Sequence, residues 1–249
     1  MIILKNKHDL TLMRDSGKIA ALARATGGEM AKAGVTTAAI NAKIKQVIVS
    51  HGAVPSFLGY GGFPGAACVS VNNEVIHGIP SDRVLEDGDI VKIDVGAFYK
   101  GFHSDCAATF AVGSISEQAE KLIFVTEKSF YKGMEQAVAG NRLGDVSAAV
   151  QECVESAGFS VVRDFVGHGI GRELHEDPSI PNYGRAGRGV RLQSGMALAI
   201  EPMVNVGGYG VKVLSDEWTV VTKDGSLSAH YENTVAITDN GPVILTALA

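Results

Sequence analysis

Apolar residues recur at helical spacing in four stretches of the chain. Positions three and four apart share one face of a helix, so each stretch can bury one side against a core. The pattern predicts helices over Asp9–Ala33, Thr37–Ser50, Ser114–Ala139 and Asp145–Ala157. Ser114 followed by Glu117 is a capping-box pattern, and Gly158 is placed to end the fourth helix.

Short apolar runs between turn residues fill most of the remaining chain and are typical of strands. They predict strands over Cys68–Val71, Val75–His77, Ile90–Ala97, Phe102–Phe110, Ser160–Val166, Met196–Ile200, Thr219–Thr222 and His230–Thr238. Asn72 and Asn73 predict a tight turn, since asparagine tolerates positive φ. No linker divides the chain, so we expect one domain over residues 1–249. A His-Gly pair follows a helix and a strand at His77 and again at His168, which is a weak sign of an internal repeat.

Composition narrows the class of partner. With 249 residues, 46% of them hydrophobic, the chain can build a core without disulfides. Acidic residues outnumber basic ones 27 to 22, and no basic cluster occurs, so nucleic acid is not expected as the primary ligand. The three cysteines are far apart and predict a reducing compartment. We expect a cytoplasmic protein without a signal peptide or a membrane span.

Two aspartates in the segment DIVKIDVGAFYKGFHSDCAATF lie on the two predicted strands of one hairpin. Asp94 and Asp105 are eleven positions apart, which places both side chains on one face. Their Cβ atoms are about 4.5–5.5 Å apart if directly opposite, and about 7–8 Å apart one register step away. Carboxylates among apolar residues repel each other and resist desolvation, and a cation between them resolves both problems. The alternative is that one aspartate lies at a solvent-exposed hairpin end.

Other potential ligands follow later in the chain. FVGHGIGRELHEDP places His168 and His175 in a glycine-rich turn after a strand, AIEPM ends an apolar strand with Glu201, and HYENTVAIT carries Glu232. Each residue alone could be solvated or structural. Together, four carboxylates and one imidazole suit divalent cations such as Mn, Fe or Co. The sequence has no dinucleotide fingerprint, phosphate-binding loop or serine nucleophile elbow.

The ordered motifs, together with FLGYGGFPGAACVSVNNEVIHGIP near the start, resemble the type I methionine aminopeptidases of metallopeptidase family M24, in their bacterial short form. The resemblance covers essentially the whole chain. It implies an α+β pita-bread fold, in which two related halves bracket a curved antiparallel sheet with helices on its outer face. It also implies removal of N-terminal methionine when the second residue is small (Gly, Ala, Ser, Thr, Cys, Pro or Val). The reaction would use water activated by two divalent ions, Co, Mn, Fe or Zn.

The same resemblance implies a role for each site residue. Asp94 would bind one ion, His168 and Glu201 the second, and Asp105 and Glu232 both. The catalytic histidines His77 and His175 would face the substrate without being ligands. We further expect Glu201 to accept the proton of the attacking water, since a ligating carboxylate has a second oxygen available. The residues implied to line the methionine pocket are Tyr60, Phe63, Cys68, Leu174 and Trp218. Leu174 stands where many relatives carry Phe.

Two alternative functions are less well supported. An Xaa-Pro aminopeptidase of the same fold is disfavoured by the pocket segments and by the expected lack of the extra N-terminal domain of prolidase-like relatives. A non-catalytic protein that binds nascent chains is disfavoured because every implied ligand and both substrate histidines are present. The resemblance further implies a monomer that acts on N-terminal methionyl peptides of nascent proteins near the ribosome.

Overall fold

The computed structural model describes residues 1–248. The helices are α1 Lys7–Glu29, α2 Thr37–Ser50, α3 Glu117–Glu135 and α4 Leu143–Ser156, and Tyr60–Gly62 forms a short 3-10 turn. The strands in the first half of the chain are β1 Val54–Pro55, β2 Cys68–Val71, β3 Glu74–Ile76, β4 Ile90–Tyr99 and β5 Phe102–Ala111. Those in the second half are β6 Ser160–Val161, β7 Gly167–Gly169, β8 Glu176–Ile180, β9 Ala197–Ile200, β10 Met203–Asn205, β11 Val211–Val213, β12 Val220–Thr222, β13 Ser228–His230, β14 Asn233–Thr238 and β15 Gly241–Ile244.

All four predicted helices form, and capping residues decide where they begin. The prediction for α2 is confirmed at both ends. Helix α1 starts before Asp9 because the side chain of Asn6 accepts the N–H groups of His8 and Asp9, at 2.8 and 3.0 Å. The predicted capping box at Ser114 is wrong, since Ser116 caps α3 by accepting the N–H of Ala119 at 3.2 Å.

Hydrogen bonding divides the strands into four sheets in which every ladder is antiparallel. Strand β4 pairs with β5 along its whole length, and β1 and β2 pair with other parts of β4. The largest sheet has the order β15-β14-β9-β7-β8, and two three-stranded sheets have the orders β13-β10-β6 and β11-β12-β3. Strands from distant parts of the chain therefore lie side by side.

Helices and strands repeat in the same order in the two halves. Helices α1 and α2 pack on each other and on β4 and β5, around a core that includes Ile40, Ile44 and Ile93. Helices α3 and α4 pack together over the strands of the second half, with Leu122 and Val154 buried between them. The architecture confirms the expected α+β pita-bread fold. No helix within residues 1–248 is both long and apolar enough to cross a membrane.

Three strand predictions need correction. The run Ser160–Val166 is a strand only at Ser160–Val161. His168 lies in strand β7, not in a turn, because Gly167 and Gly169 let neighbouring strands approach closely; a Cβ on Gly169 would lie 2.1 Å from the carbonyl oxygen of Asp177. The run His230–Thr238 forms two strands, β13 and β14, with Tyr231 and Glu232 between them.

The predicted turn at Asn72 is confirmed, with a φ of 55° at that residue. The strands on either side of it nevertheless join different sheets, because β2 pairs with β4 while β3 pairs with β12. The turn therefore connects two sheets. One contains β4 and β5 with the two aspartates, and the other contains β12, which begins two residues after Trp218.

Candidate active site

Strands β2, β4 and β5 and the link between β13 and β14 lie side by side and bring Asp94 and Glu232 onto one face. Asp94 lies opposite Ala107 in the β4–β5 ladder, with Cys68 of β2 opposite Asp94 on its other side. The main chain of Ala107 in turn exchanges two hydrogen bonds with that of Glu232, at 3.2 and 2.9 Å. Directly opposed residues of antiparallel strands point to the same face. Cys68, Asp94, Ala107 and Glu232 therefore form a lateral row whose side chains share one side.

The register also resolves the relation between the two aspartates. Asp105 pairs with Gly96, and Asp94 pairs with Ala107, so the aspartates are one register step apart on the same face. The wider of the two spacings left open by the sequence is the one that occurs. Both carboxyl groups have an oxygen, Oδ1, that is buried without a hydrogen-bond partner in the described chain.

His168 and Glu201 reach the same centre from the five-stranded sheet. His168 pairs with Ala199, and Glu201 directly follows β9, so both side chains lie at one end of this sheet. The Nε2 atom of His168 is 3.6 Å from Oε1 of Glu201 and 4.0 Å from Oδ2 of Asp105. Because Nδ1 of His168 lies 2.9 Å from the carbonyl oxygen of Gly169 and donates to it, the lone pair is on Nε2 and faces the carboxylates.

Burial strongly disfavours charge at this centre. Desolvation raises the pKa of Asp94 to about 7. Desolvation, reinforced by repulsion between neighbouring carboxylates, also raises the pKa values of Asp105, Glu201 and Glu232 well above the usual range. Burial lowers the pKa of His168 to about 3, so its imidazole is neutral at physiological pH. Four carboxyl groups are thus held in an environment that resists their ionisation.

The donor set fits divalent metal ions. The basic side chains that come within 4.0 Å of these carboxylates in residues 1–248 are the neutral histidines His168 and His230, since no lysine or arginine does so. Arg24 contacts the carbonyl oxygen of Glu232, not its carboxylate. Buried carboxylate oxygens without partners, next to a correctly oriented imidazole, are ligands for hard or borderline cations. Two triads that can each hold an ion are Asp105, His168, Glu232 and Glu201, His230, Glu232.

The carboxylates form the floor of a cavity of about 250 Å³. All twelve residues that the sequence singled out for the site line this cavity. Its walls are mainly apolar: Phe63, Cys68 and Leu174 are 3%, 5% and 2% exposed, and the rings of Phe63 and Trp218 meet edge to face at 5.1 Å. Burial raises the pKa of Cys68, so its thiol is not an activated nucleophile.

Two histidines border the cavity without joining the carboxylate cluster. The ring of His175 lies 4.2 Å from that of His168, and its Nδ1 is 2.7 Å from the hydroxyl of Tyr60. His77 has a φ of 59°, and the N–H of the following Gly78 donates to Oγ of the buried Ser70 at 2.9 Å. Burial lowers the pKa of His77 to about 4. Specific contacts therefore fix the ring of His175 and the backbone of His77 at the border of the cavity.

Two residues of the site were not predicted from the sequence. Phe57, which is 9% exposed, forms part of the cavity wall. His230 lies beneath the carboxylates, 1% exposed, with Nε2 3.8 Å from both Glu201 and Glu232. Their positions in the sequence could have identified them. Phe57 is three residues before Tyr60 in the same aromatic segment, and His230 is two residues before Glu232.

Comparison with known proteins agrees with this geometry. The model of metallopeptidase family M24 matches residues 11–239. A methionine aminopeptidase of Clostridium perfringens is 59% identical over 248 residues, covering 100% of both chains. The crystal structure of methionine aminopeptidase from Thermotoga maritima superposes with a TM-score of 0.97 at 47% identity, over 99% of each chain.

A solved structure with lower sequence identity also has a similar fold. Prolidase from Pyrococcus furiosus has a TM-score of 0.77 at 24% identity, and the match covers 99% of this chain but 66% of that one. This similarity indicates a shared fold alone. The full-length matches and the carboxylate–histidine centre lead to one conclusion: the chain belongs to metallopeptidase family M24 and, within it, to the methionine aminopeptidases.

Proposed function

We propose that this chain hydrolyses the first peptide bond of polypeptides that begin with methionine and have a small second residue. The observation that carries the proposal is the continuity of an apolar slot and a carboxylate cluster within one cavity. An unbranched thioether side chain fits a slot with aromatic walls. The peptide bond next to it would then lie over the carboxylates.

Asp94, Asp105, His168, Glu201 and Glu232 would hold two divalent ions. When bound, such ions supply Lewis acidity, which lowers the pKa of an attacking water and polarises the scissile carbonyl. The oxygen-rich donor set supports Co, Mn or Fe, and also admits Zn. We assign to Glu201 the role of accepting the proton of the water, because its carboxylate lies beside His168 within the same cluster and has a second oxygen available.

The two cavity histidines handle the substrate. Nδ1 of His175 lies 2.7 Å from the hydroxyl of Tyr60. In the proposed arrangement the hydroxyl donates to Nδ1, so the hydrogen of the ring is on Nε2. That N–H stabilises the oxyanion that develops on the scissile carbonyl. His77 also lines the cavity, with its ring 6.4 Å from that of Trp218, and hydrogen-bonds the amide of the scissile bond.

A peptide panel tests the proposal. The purified protein supplied with Mn²⁺ should release methionine from Met-Ala-Ser, should leave Met-Lys-Ser and an Ala-Pro peptide intact, and should lose activity with a chelator. Asp94→Asn and Glu232→Gln should each abolish turnover in a folded protein, and full activity in either would contradict the ligand assignment. Cleavage of the Ala-Pro peptide in place of Met-Ala-Ser would support the Xaa-Pro alternative.

A histidine substitution separates catalysis from metal binding. His175→Ala should lower kcat by about 10²–10³-fold, the usual effect of losing an oxyanion donor, with Mn²⁺ affinity unchanged. Loss of bound Mn²⁺ in this variant would show that His175 is a ligand. His51→Ala is the control, because His51 is exposed and bonds only within its own helix end.

Because the proposed substrates are nascent proteins, we propose that the chain acts in the cytoplasm near the ribosome. We also propose that it acts as a monomer. Two of the three cysteines, Cys68 and Cys106, are buried free thiols, as expected in a reducing compartment. Light scattering of the purified protein tests the monomer, and co-sedimentation with ribosomes tests the association. A stable dimer, or no co-sedimentation at low salt, would contradict the respective part of the proposal.

A further inference from the structure

His230 is a buried imidazole to which the proposed function gives no role, although it belongs to one of the two triads that can hold an ion. Its Nε2 atom is 3.8 Å from Oε2 of Glu201 and 3.8 Å from Oε2 of Glu232. Neither ring nitrogen has a hydrogen-bond partner in the part of the chain described, although the side chain is only 1% exposed. An unpaired polar group in the interior destabilises the fold, so a compensating interaction is expected at this position.

The backbone of His230 is fixed by its neighbours. Thr109 Oγ1 donates to the carbonyl oxygen of His230 at 2.8 Å and accepts its N–H at 2.9 Å. His230 also pairs with Met203 across the β10–β13 ladder. The imidazole therefore cannot leave the carboxylates by a main-chain movement, and only its side-chain torsions can adjust.

The two histidines flank different oxygens of one carboxylate. His168 Nε2 lies 3.6 Å from Oε1 of Glu201, and His230 Nε2 lies 3.8 Å from Oε2. The Nδ1–H of His168 donates to a carbonyl, which turns a lone pair toward the carboxylates as a ligand requires. No such carbonyl holds Nδ1 of His230 among the described residues. Its hydrogen is therefore free to reside on Nε2, where two carboxylates attract it.

We propose that His230 is a positioning residue, which donates its Nε2–H to Oε2 of Glu201 and thereby keeps Oε1 directed toward His168 and the bound ion. The inference rests on the proposed function and assigns it a residue outside the ligand set. A torsional adjustment of about 1 Å brings the nitrogen to the usual hydrogen-bond distance. No proton is transferred, and the nitrogen keeps its hydrogen. Hydrogen-bonded partners of ligating carboxylates typically contribute about 10–100-fold to metal affinity.

Titration of the metal-free protein with Mn²⁺ tests the inference. His230→Leu should weaken the binding of Mn²⁺ by about 10–100-fold, because the carboxylate loses its donor. His230→Gln, which keeps an N–H donor of similar reach, should restore the affinity to within about threefold of wild type. Unchanged Mn²⁺ affinity in His230→Leu, or equal weakening in His230→Gln, would overturn the proposal.

X-ray absorption of the Co²⁺-loaded proteins distinguishes a positioning residue from a ligand. The number of imidazole nitrogens bound to cobalt should be the same in wild type and His230→Gln. Loss of one imidazole in the variant would overturn the proposal, because it would make His230 a metal ligand.

Matched variants control for folding. Ser228 lies in the same strand, and its buried hydroxyl donates to the carbonyl oxygen of Val204. Ser228→Ala removes this polar group and should leave Mn²⁺ affinity unchanged. His230→Met provides a second apolar replacement if the leucine variant proves unstable by thermal unfolding. Mn²⁺ binding is measured without a peptide, so a wild type that binds Mn²⁺ but releases no methionine would contradict the proposed function alone.

Discussion

Ala107 and Glu232 exchange two main-chain hydrogen bonds, although they lie in different halves of the chain. Ala107 also stands opposite Asp94 in the hairpin, so its methyl group occupies the space between two carboxylates. The site depends on this small residue, because a larger side chain at the same point of the row would extend into the ion-binding space.

Ala107→Val should therefore weaken metal binding in a folded protein. The two added methyl groups point between Asp94 and Glu232, and we expect Mn²⁺ affinity to fall by about 10-fold or more, as for other changes that displace ligands. Calorimetric titration of the metal-free variant measures this. Ala108→Val, at the neighbouring position on the opposite face of β5, should bind Mn²⁺ like wild type. Equal weakening in both variants would indicate a general effect on the hairpin.

In the metal-free protein, the buried carboxyl groups of the site should contribute less to stability as the pH rises. The folded chain holds protons on carboxyl groups whose pKa is raised, to about 7 for Asp94, while unfolded carboxyl groups lose theirs near pH 4. The free energy of unfolding contributed by these groups therefore decreases between about pH 4 and pH 7. Bound Mn²⁺ favours the ionised carboxylates and should reverse the trend.

Thermal unfolding at about pH 5.5 and pH 8, with and without Mn²⁺, measures this linkage. Asp94→Asn should change the pH dependence of the metal-free protein by the contribution of one carboxyl group, because the amide does not titrate. A metal-free wild type whose pH dependence equals that of Asp94→Asn would contradict the raised pKa of this carboxyl group.

A buried ion pair connects the N-terminal segment to the loop that carries Leu174 and His175. Lys5 Nζ lies 2.5 Å from Glu176 Oε2, and both side chains are about 5% exposed or less. The other oxygen of Glu176 accepts the N–H of Arg172 at 2.9 Å. Lys5→Met should destabilise the fold by about 3–5 kcal/mol, because it leaves a buried carboxylate unpaired.

Denaturant unfolding measures the loss, and Lys100→Met is the matched control. Lys100 pairs with Asp15 on the surface, where both side chains are exposed, so its replacement should leave the free energy of unfolding nearly unchanged. In Lys5→Met we also expect a lower kcat, since Glu176 holds the turn that places His175. Equal stability losses in the two variants would show that the buried pair has no special role.

Leu174→Phe should raise KM for methionyl peptides. Leu174 is 2% exposed and packs in the same cluster as Phe57, Phe63 and Trp218, so a larger ring reduces the space for the methionine side chain. Steady-state kinetics with Met-Ala-Ser measures the change. Leu174→Met conserves volume and should alter KM by less than about threefold. An unchanged KM in Leu174→Phe would place the residue outside the substrate pocket.

The predicted elements show where local rules suffice. Helix α2 has both predicted ends, because its cap and its apolar face are local features. The start of α3 was misplaced, since Ser114 and Ser116 both offer a capping hydroxyl and the pattern does not distinguish them. Strands β7 and β8 were missed because glycine-rich and polar segments lack the apolar alternation that predicts a strand.

The sequence by itself determined the helices, the hairpin of β4 and β5, the common face of Asp94 and Asp105, and a ligand set suited to divalent ions. These follow from periodicity and side-chain chemistry, which act over a few residues. Tertiary structure alone decided the register of the aspartates, the pairing of Glu232 with Ala107, and the approach of His230 and Lys5 to the site. Such contacts join residues distant in the chain, and their geometry is set by how whole sheets pack, which no local pattern encodes.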